Sequence, residues 1–353
     1  MIRIVKYSIV IFFILSVLYS LNYYLFTTLC GYIGYNNNYM ILVMIIVFPV
    51  IFVFSRFCAT KYSNIYVKIL NVLAENLMGV LLVFLVVTFV FDVINRFILI
   101  KNTGTLIFAT SFLLIIIGAL NAKLIKVKKI RFKSKKIKSD KRVVLLSDIH
   151  IGSNKRYFLE RIVEKVNSLK PDIVLITGDL VDERFVTYDD IKPIDDINSE
   201  IFFTYGNHEF YVGEDYIEKL FESTKMNVLR NEYEVSGDMQ IIGIDDGFGK
   251  ITLKEELQKI DLSRNKYKIL MYHRPKGYKF ASKQGIDLMV SGHTHGGQII
   301  PFNFLVRLFF RKFKGLHKIE ELRLYITTGT GVWGPKIRLC SRSEITVLEL
   351  IKK

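Results

Sequence analysis

From Tyr7 to Ser55 the chain runs 49 consecutive residues without Asp, Glu, Lys or Arg. Few soluble folds can bury such a stretch. It is long enough for two helices of about 20 residues, each able to cross a bilayer, with a short turn between them. The uncharged Asn36-Asn37-Asn38 cluster is the natural turn. A third apolar run, Asn76 to Ile100, is interrupted only by Asp92 and Arg96, and a fourth, Asn102 to Ala122, carries no charge. The sequence therefore predicts an all-α membrane domain of four transmembrane helices over residues 1–122, where the surplus behind the 51% hydrophobic content is concentrated. Asp92 and Arg96, four apart, read as a structural pair on one helix face.

Arg3 and Lys6 precede the first run, but no small-x-small cleavage site follows. Thr27-Thr28-Leu29 before Cys30 also lacks the small residue of a lipoprotein site, so the run reads as a retained anchor. Arg56, Lys61 and Lys68 separate the second and third spans, and Lys is dense after the fourth. Short basic loops stay on the cytoplasmic side. The expectation is a multi-pass integral membrane protein with both termini and the following domain in the cytoplasm; Lys101, in an outer turn, is the residue that runs against it.

Charge is unevenly divided. Residues 1–122 hold seven Lys/Arg and two Asp/Glu, residues 123–142 eleven and one, and residues 143–353 thirty-one and thirty. Most of the net +16 thus lies just after the fourth span. Anionic headgroups attract each basic side chain there by about 1 kcal/mol, and 123–142 reads as a basic juxtamembrane linker. A nearly neutral domain behind it gives no indication of nucleic acid as a partner. Three Cys in 353 residues indicate no disulfide framework.

After Arg142, short β-branched runs end in polar residues. Val143–Leu146 leads to Ser147-Asp148-Ile149-His150, Ile173–Ile176 to Thr177-Gly178-Asp179, and Ile201–Tyr205 to Gly206-Asn207-His208-Glu209. Ile269–Tyr272 leads to His273, and Ile286–Val290 to Ser291-Gly292-His293-Thr294-His295. Phe158, Ile162, Val166 and Leu169 recur at helical spacing between the first two runs, which is βαβ patterning, and such sheets bind ligands at the carboxyl ends of their strands. Leu324–Thr327, Ile337–Leu339 and Ile345–Leu350 read as further strands. Residues 143–353 form one layered α/β domain in this reading.

Five of the six His stand at these strand ends, with Asp, Asn or Gly beside them; His317 reads as an ordinary loop residue. Gathering so many polar groups is costly unless something binds them. Asp148, His150, Asp179, Asn207, His273, His293 and His295 suit two divalent transition metals, Mn, Zn or Fe, in preference to Ca or Mg. Two such ions about 3.5–4 Å apart clamp the oxygens of a phosphoryl displacement.

In order and content these motifs resemble the calcineurin-like metallophosphoesterases. Asp148-x-His150, Gly178-Asp179 with Asp182, Gly206-Asn207-His208-Glu209, His273 and Gly292-His293-Thr294-His295 carry the likeness, which continues through Gly296-Gly297-Gln298, Ile337-Arg338-Leu339 and Glu344-Ile345-Thr346. The extras are similar to the bacterial membrane-associated YkuE- and YaeI-type phosphodiesterase branch. The resemblance implies a layered α-β-β-α sandwich and assigns Asp148, His150 and His295 to one metal. It assigns Asn207, His273 and His293 to the other, with Asp179 bridging. His208 would protonate the leaving oxygen, oriented by Asp182. Glu183-Arg184 after Asp182, and Phe210-Tyr211 after Glu209, depart from the protein Ser/Thr phosphatase branch.

The expected function is hydrolysis of a phosphodiester or pyrophosphate by two-metal activation of water, with a membrane lipid or lipid-linked precursor as the expected substrate. A soluble nucleotide or a phosphoprotein is the alternative, and a metal-dependent scaffold without turnover is the other. Phe302, Leu305, Val306, Phe309 and Phe313, interleaved with Arg307, Arg311, Lys312 and Lys314, read either as a helix packed on the sheet or as an interfacial segment facing membrane lipids. Trp333 reads as core in preference to a stacking residue.

Overall fold

The computed structural model describes residues 2–62, 64–247 and 252–353, with side chains at 2–11, 60 and 61 left out. The side chains of Arg3, Lys6 and Lys61, used above for orientation, lie outside the described residues. The chain divides into two compact units: Met1–Ala119 with Gly334–Ile337, and Leu120–Trp333 with Arg338–Lys353.

The first unit holds four helices, α1 (Ile2–Ile33), α2 (Asn38–Lys61), α3 (Ile65–Asn95) and α4 (Thr103–Lys123), each long and apolar enough to cross a membrane. Asn37 caps α2 by accepting the Met40 N–H at 3.1 Å, and Asn64 caps α3 by accepting that of Val67 at 3.0 Å. α3 therefore begins eleven residues ahead of the apolar run read from the sequence. Glu75 sits inside it because Arg56 Nη1 lies 2.6 Å away and Asn71 Nδ2 donates at 3.1 Å. Asp92 accepts the phenols of Tyr24 and Tyr32 at 3.1 and 2.9 Å and pairs with Arg96 at 3.5 Å. Both carboxylates of these apolar helices are thus hydrogen-bonded, as burial demands.

The second unit is an α-β-β-α sandwich of two six-stranded sheets. In the first, the order is β1 (Lys126–Ser134), β12 (Glu344–Lys352), β2 (Lys141–Leu146), β3 (Ile173–Thr177), β4 (Glu200–Thr204), β5 (Asn227–Val228). In the second it is β10 (Gly315–Ile319), β11 (Leu322–Ile326), β9 (Leu288–Ser291), β8 (Tyr267–Tyr272), β7 (Met239–Ile244), β6 (Glu232–Ser236). β2, β3 and β4 run parallel, as do β7, β8 and β9.

Strand alternation explains the layers. Val143 and Leu145 of β2, with Ile173 and Leu175 of β3, face Ile269 and Met271 of β8 across the space between the sheets. Val144, Leu146, Val174 and Ile176 face the other way, onto Phe158, Ile162 and Val166 of helix α5 (Arg156–Ser168). Strands apolar on both faces belong in the middle of a sandwich, and parallel ones need that cover.

Two expectations change. The basic segment 123–142 is not simply a linker: its Lys126–Ser134 stretch is an edge strand paired in parallel with β12, with Lys129, Arg131 and Lys133 exposed while Phe132 is buried. Charge masked the alternation, and lysines are common on sheet edges. Ile337–Leu339 is not a strand, because Arg338 is buried and its guanidinium takes up surrounding carbonyls.

If β1 is structural, Phe132→Ala should cost about 3 kcal/mol, while Lys133→Ala, on the exposed face, should stay within about 0.5 kcal/mol of the parent. Thermal unfolding of the detergent-solubilised chain measures both; equal, negligible shifts would mean the segment is a tether.

Candidate metal centre

The carboxyl ends of β2, β3 and β4 from one sheet and of β8 and β9 from the other meet at one edge of the sandwich. Each delivers its polar residues immediately after the last apolar strand residue. Asp148, His150, Asp179, His293 and His295 all adopt left-handed backbone, with φ of 54°, 54°, 55°, 68° and 47°. That conformation costs about 1–2 kcal/mol per non-glycine residue, so surrounding bonds must hold it. Gly206 and Gly292 are required for close approach, since a Cβ there would overlap the carboxylates of Asp179 and Asp148.

Three groups of donor atoms result: Asp148, His150 and His295; Asp179, His273 and His293; and His150, Asp182 and His208. His150 Nε2 and His295 Nε2 stand 3.1 Å apart, and His295 Nε2 is 3.4 Å from Asp148 Oδ1. Asp179 Oδ2 reaches toward the first two, 3.9 Å from His150 Nε2 and 3.0 Å from His273 Nε2. Asn207 is buried, and its Oδ1 has no hydrogen-bond partner in the protein.

A simple proton count tests whether cations fit. His273 Nδ1 faces the Thr177 carbonyl at 2.8 Å and must donate to it, leaving Nε2 of the neutral ring as a lone pair aimed at a carboxylate oxygen. Nε2 makes no hydrogen bond within the protein. Burial opposes protonation of His273, yet the carboxylates of Asp179, Asp148 and Asp246 outweigh it and push its pKa up to about 10. The pocket therefore attracts positive charge. Burial drives His293 the other way, to about 3, and pulls His295 well below its ordinary value, so these rings are neutral donors. Imidazole, carboxylate and amide donors gathered in one buried place, among them the unpartnered His273 Nε2 and Asn207 Oδ1, fit divalent metals.

Asp182 corrects an expectation. Its carboxylate accepts from Ser153 Oγ at 2.6 Å and Ser153 N–H at 3.0 Å and lies 3.5 Å from His150 Nδ1, so its nearest ring is His150, with His208 completing the same group. The bridge between Ile151 and Val181 brings the two loops together. Asp182 thus orients a candidate ligand, the usual role of a carboxylate behind a metal-binding His. His208 instead has its ring among His150 at 4.8 Å, Tyr211 at 5.1 Å and Trp333 at 5.9 Å, and its backbone N–H donates to Asp179 Oδ1 at 2.9 Å. Burial lowers its pKa to about 4. Trp333 is 47% exposed beside it, not core.

Sequence reasoning gave no separate role to two residues that build this centre. Glu209, fully buried, accepts four backbone N–H groups: Asp179 at 2.9 Å and Gly206 at 2.8 Å on Oε2, Leu180 at 2.8 Å and Val181 at 3.2 Å on Oε1. It ties the β3 loop to the β4 loop. Burial and the Asp179 charge raise its pKa to about 7. Arg338, also buried, sets Nη2 3.1 Å from His295 Nδ1 while Nη1 donates to the Thr328 carbonyl at 2.6 Å. The only advance signals were their positions inside the Gly-Asn-His-Glu and Ile-Arg-Leu motifs.

Residues 141–297 match the calcineurin-like phosphoesterase family. The C-terminal unit thus carries, over those residues, a match to a calcineurin-like phosphoesterase domain. An uncharacterized metallophosphoesterase of Campylobacter jejuni is 38% identical over 237 residues, 64% of this chain and 63% of its own. The chain thus spans somewhat under two thirds of that relative. A zebrafish transmembrane protein with metallophosphoesterase domain is 35% identical over 233 residues, 59% of this chain and 53% of its own. An uncharacterized metallophosphoesterase of Aquifex aeolicus is 29% identical over 256 residues, 68% of this chain and 98% of its own. Calcineurin-like phosphoesterases are binuclear divalent-metal hydrolases of phosphoester bonds, and the donor set here is of the kind they require.

Because Glu209 holds two ligand loops at once, Glu209→Ala in the phosphoesterase domain should weaken metal retention about 10- to 100-fold. Competition of the full chain against a graded chelator measures this, and unchanged retention would contradict the clamp.

Proposed function

We propose that this chain is a membrane-anchored, metal-dependent phosphoesterase that hydrolyses a phosphodiester or pyrophosphate bond of a membrane lipid or lipid-linked precursor at the cytoplasmic face. The convergence of His273 Nε2, Asp179 Oδ2 and the unpartnered Asn207 Oδ1 carries the catalytic part of this reading. Asp148, His150 and His295 would hold one divalent cation and His273, His293 and Asn207 the other, with Asp179 between them. When bound, such cations polarise phosphoryl oxygens and lower the pKa of water toward about 7, which supplies a nucleophile without Ser or Cys.

The chain's own residues do the rest. Thr177, Asp182 and Arg338 fix the rings of His273, His150 and His295. The carboxylates of Asp148 and Asp179 offset the charge brought into a buried pocket. Water attacks phosphorus, the P–O bond to the leaving group breaks, and the leaving oxygen takes a proton. His208 is the side chain placed to supply that proton or a hydrogen bond to the same oxygen. A neutral ring, which its lowered pKa favours, still offers one N–H.

The membrane part rests on four helices of spanning length and on the basic side chains flanking them, which favour a cytoplasmic catalytic domain. A relative named as a transmembrane protein supports the anchor. A lipid-borne substrate would always be near such a domain.

Full-length protein loaded with Mn²⁺ should hydrolyse bis-p-nitrophenyl phosphate. Asp179→Ala should abolish turnover, and His208→Ala should lower kcat by about 10²- to 10⁴-fold with metal content unchanged. No turnover with Mn²⁺, Zn²⁺ or Fe²⁺ in metal-loaded protein would reject the hydrolase reading in favour of a scaffold.

A further inference from the structure

The Phe302–Phe309 helix begins soon after His295 and is built inside out. It buries none of its residues. Leu308 is 79% exposed and Phe309 76%, with Phe302, Phe304 and Leu305 also exposed. Asn303 is the side chain turned inward: a Cβ on Gly297 would run into it, and its Oδ1 is buried. An amphipathic helix packed on a core does the reverse. The sequence spacing that suggested a helix through Phe313 also stops short, because the backbone becomes extended at Phe310.

The exposed face is joined rigidly to the metal centre. The Phe310 ring lies 5.4 Å from that of His293, and the Phe313 carbonyl accepts from Thr294 Oγ1 at 2.5 Å. Beside it, a groove of about 310 Å³ runs between residues 275–279 and 309–311, with Lys276, Lys279 and Arg311 on its walls next to Phe309 and Phe310. Lys276 Nζ stands 5.0 Å from the Phe310 ring. From Leu288 to Ile319 there is no Asp or Glu, while Arg307, Arg311, Lys312, Lys314 and Lys318 fall within it. Apolar side chains offered to the outside, rimmed by cations with no acid among them, complement one surface in particular: a bilayer interface containing anionic lipid. The chain carries four membrane-length helices of its own, so that surface is always within reach.

We propose that the Phe302–Phe309 helix lies in the boundary between lipid headgroups and acyl chains, its neighbouring Lys276, Lys279 and Arg311 against lipid phosphates, and so holds the metal centre at headgroup depth. The purpose rests on the lipid-phosphoester reading above. The placement does not.

It is tested without turnover. Full-length protein carrying Leu308→Trp is reconstituted into phosphatidylcholine–phosphatidylglycerol vesicles, with or without bromine near the headgroup end of the acyl chains. The emission added over the parent should be about twofold lower in brominated vesicles. Phe304→Trp should behave alike, and adding Leu308→Glu with Phe309→Glu should remove its quenching while hydrolysis of soluble bis-p-nitrophenyl phosphate is retained, showing that the domain is folded. Equal emission in both vesicles overturns the proposal, as does a dimer through this face that Leu308→Glu dissociates. Quenching without diester turnover would keep the helix in the membrane and remove the hydrolase; turnover without quenching would do the opposite.

Discussion

The architecture of the C-terminal unit depends on a buried cluster of imidazoles and carboxylates that draws positive charge into itself. His273 gives its Nδ1 proton to the Thr177 carbonyl, so its Nε2, 3.0 Å from Asp179 Oδ2, calls for a positive charge beside it, either a second proton or a cation. His150 and His295 bring two further ring nitrogens within 3.1 Å of each other. The cluster favours positive charge inside it, and the loops that carry it are held in place. Five of the residues involved occupy left-handed backbone. Glu209 binds two of the loops through four N–H groups, and Arg338 gathers carbonyls behind a third. Cost in backbone and desolvation is concentrated where cations would return it.

The fold supplies the rigidity this needs. Two sheets with apolar side chains on both faces end together, so five loops are anchored at their bases by buried strands and diverge only over a few residues. Neither sheet alone could make the centre: Asp148, Asp179 and Asn207 come from one, His273, His293 and His295 from the other. Within the C-terminal unit, the helix that follows His295 contradicts its surroundings, presenting leucine and phenylalanine outward, and such contradictions mark function more often than they mark packing.

Much of this was legible in the sequence because its signals are local. Uncharged runs mark the four long helices, and an apolar strand followed at once by Asp, Asn or His marks each donor loop. What was missed is tertiary. Glu75 could sit within α3 only because Arg56, nineteen positions earlier, comes to meet it. β1 was hidden by its lysines, since the alternation of Ile130 and Phe132 means little until β12, some two hundred residues away, is alongside. Asp182 is three positions from Asp179 and was paired with His208 alone, because only the bridge between Ile151 and Val181 brings it to His150 as well. Ile337–Leu339 carries a strand-like pattern, yet a buried arginine between two apolar residues cannot lie in a ladder when its guanidinium is needed by the loop carbonyls. Trp333 and the Phe302–Phe309 helix were ambiguous for a single reason: periodicity says which residues share a face and not what that face meets.

The central claim is that these donors hold two cations. Equilibrium dialysis of the full chain against Mn²⁺, with bound metal counted per polypeptide, addresses it directly. Two equivalents bound in the parent and at most one in Asp148→Ala is the predicted result. Saturation of the folded parent below two equivalents, or a count unaffected by Asp148→Ala, would contradict it.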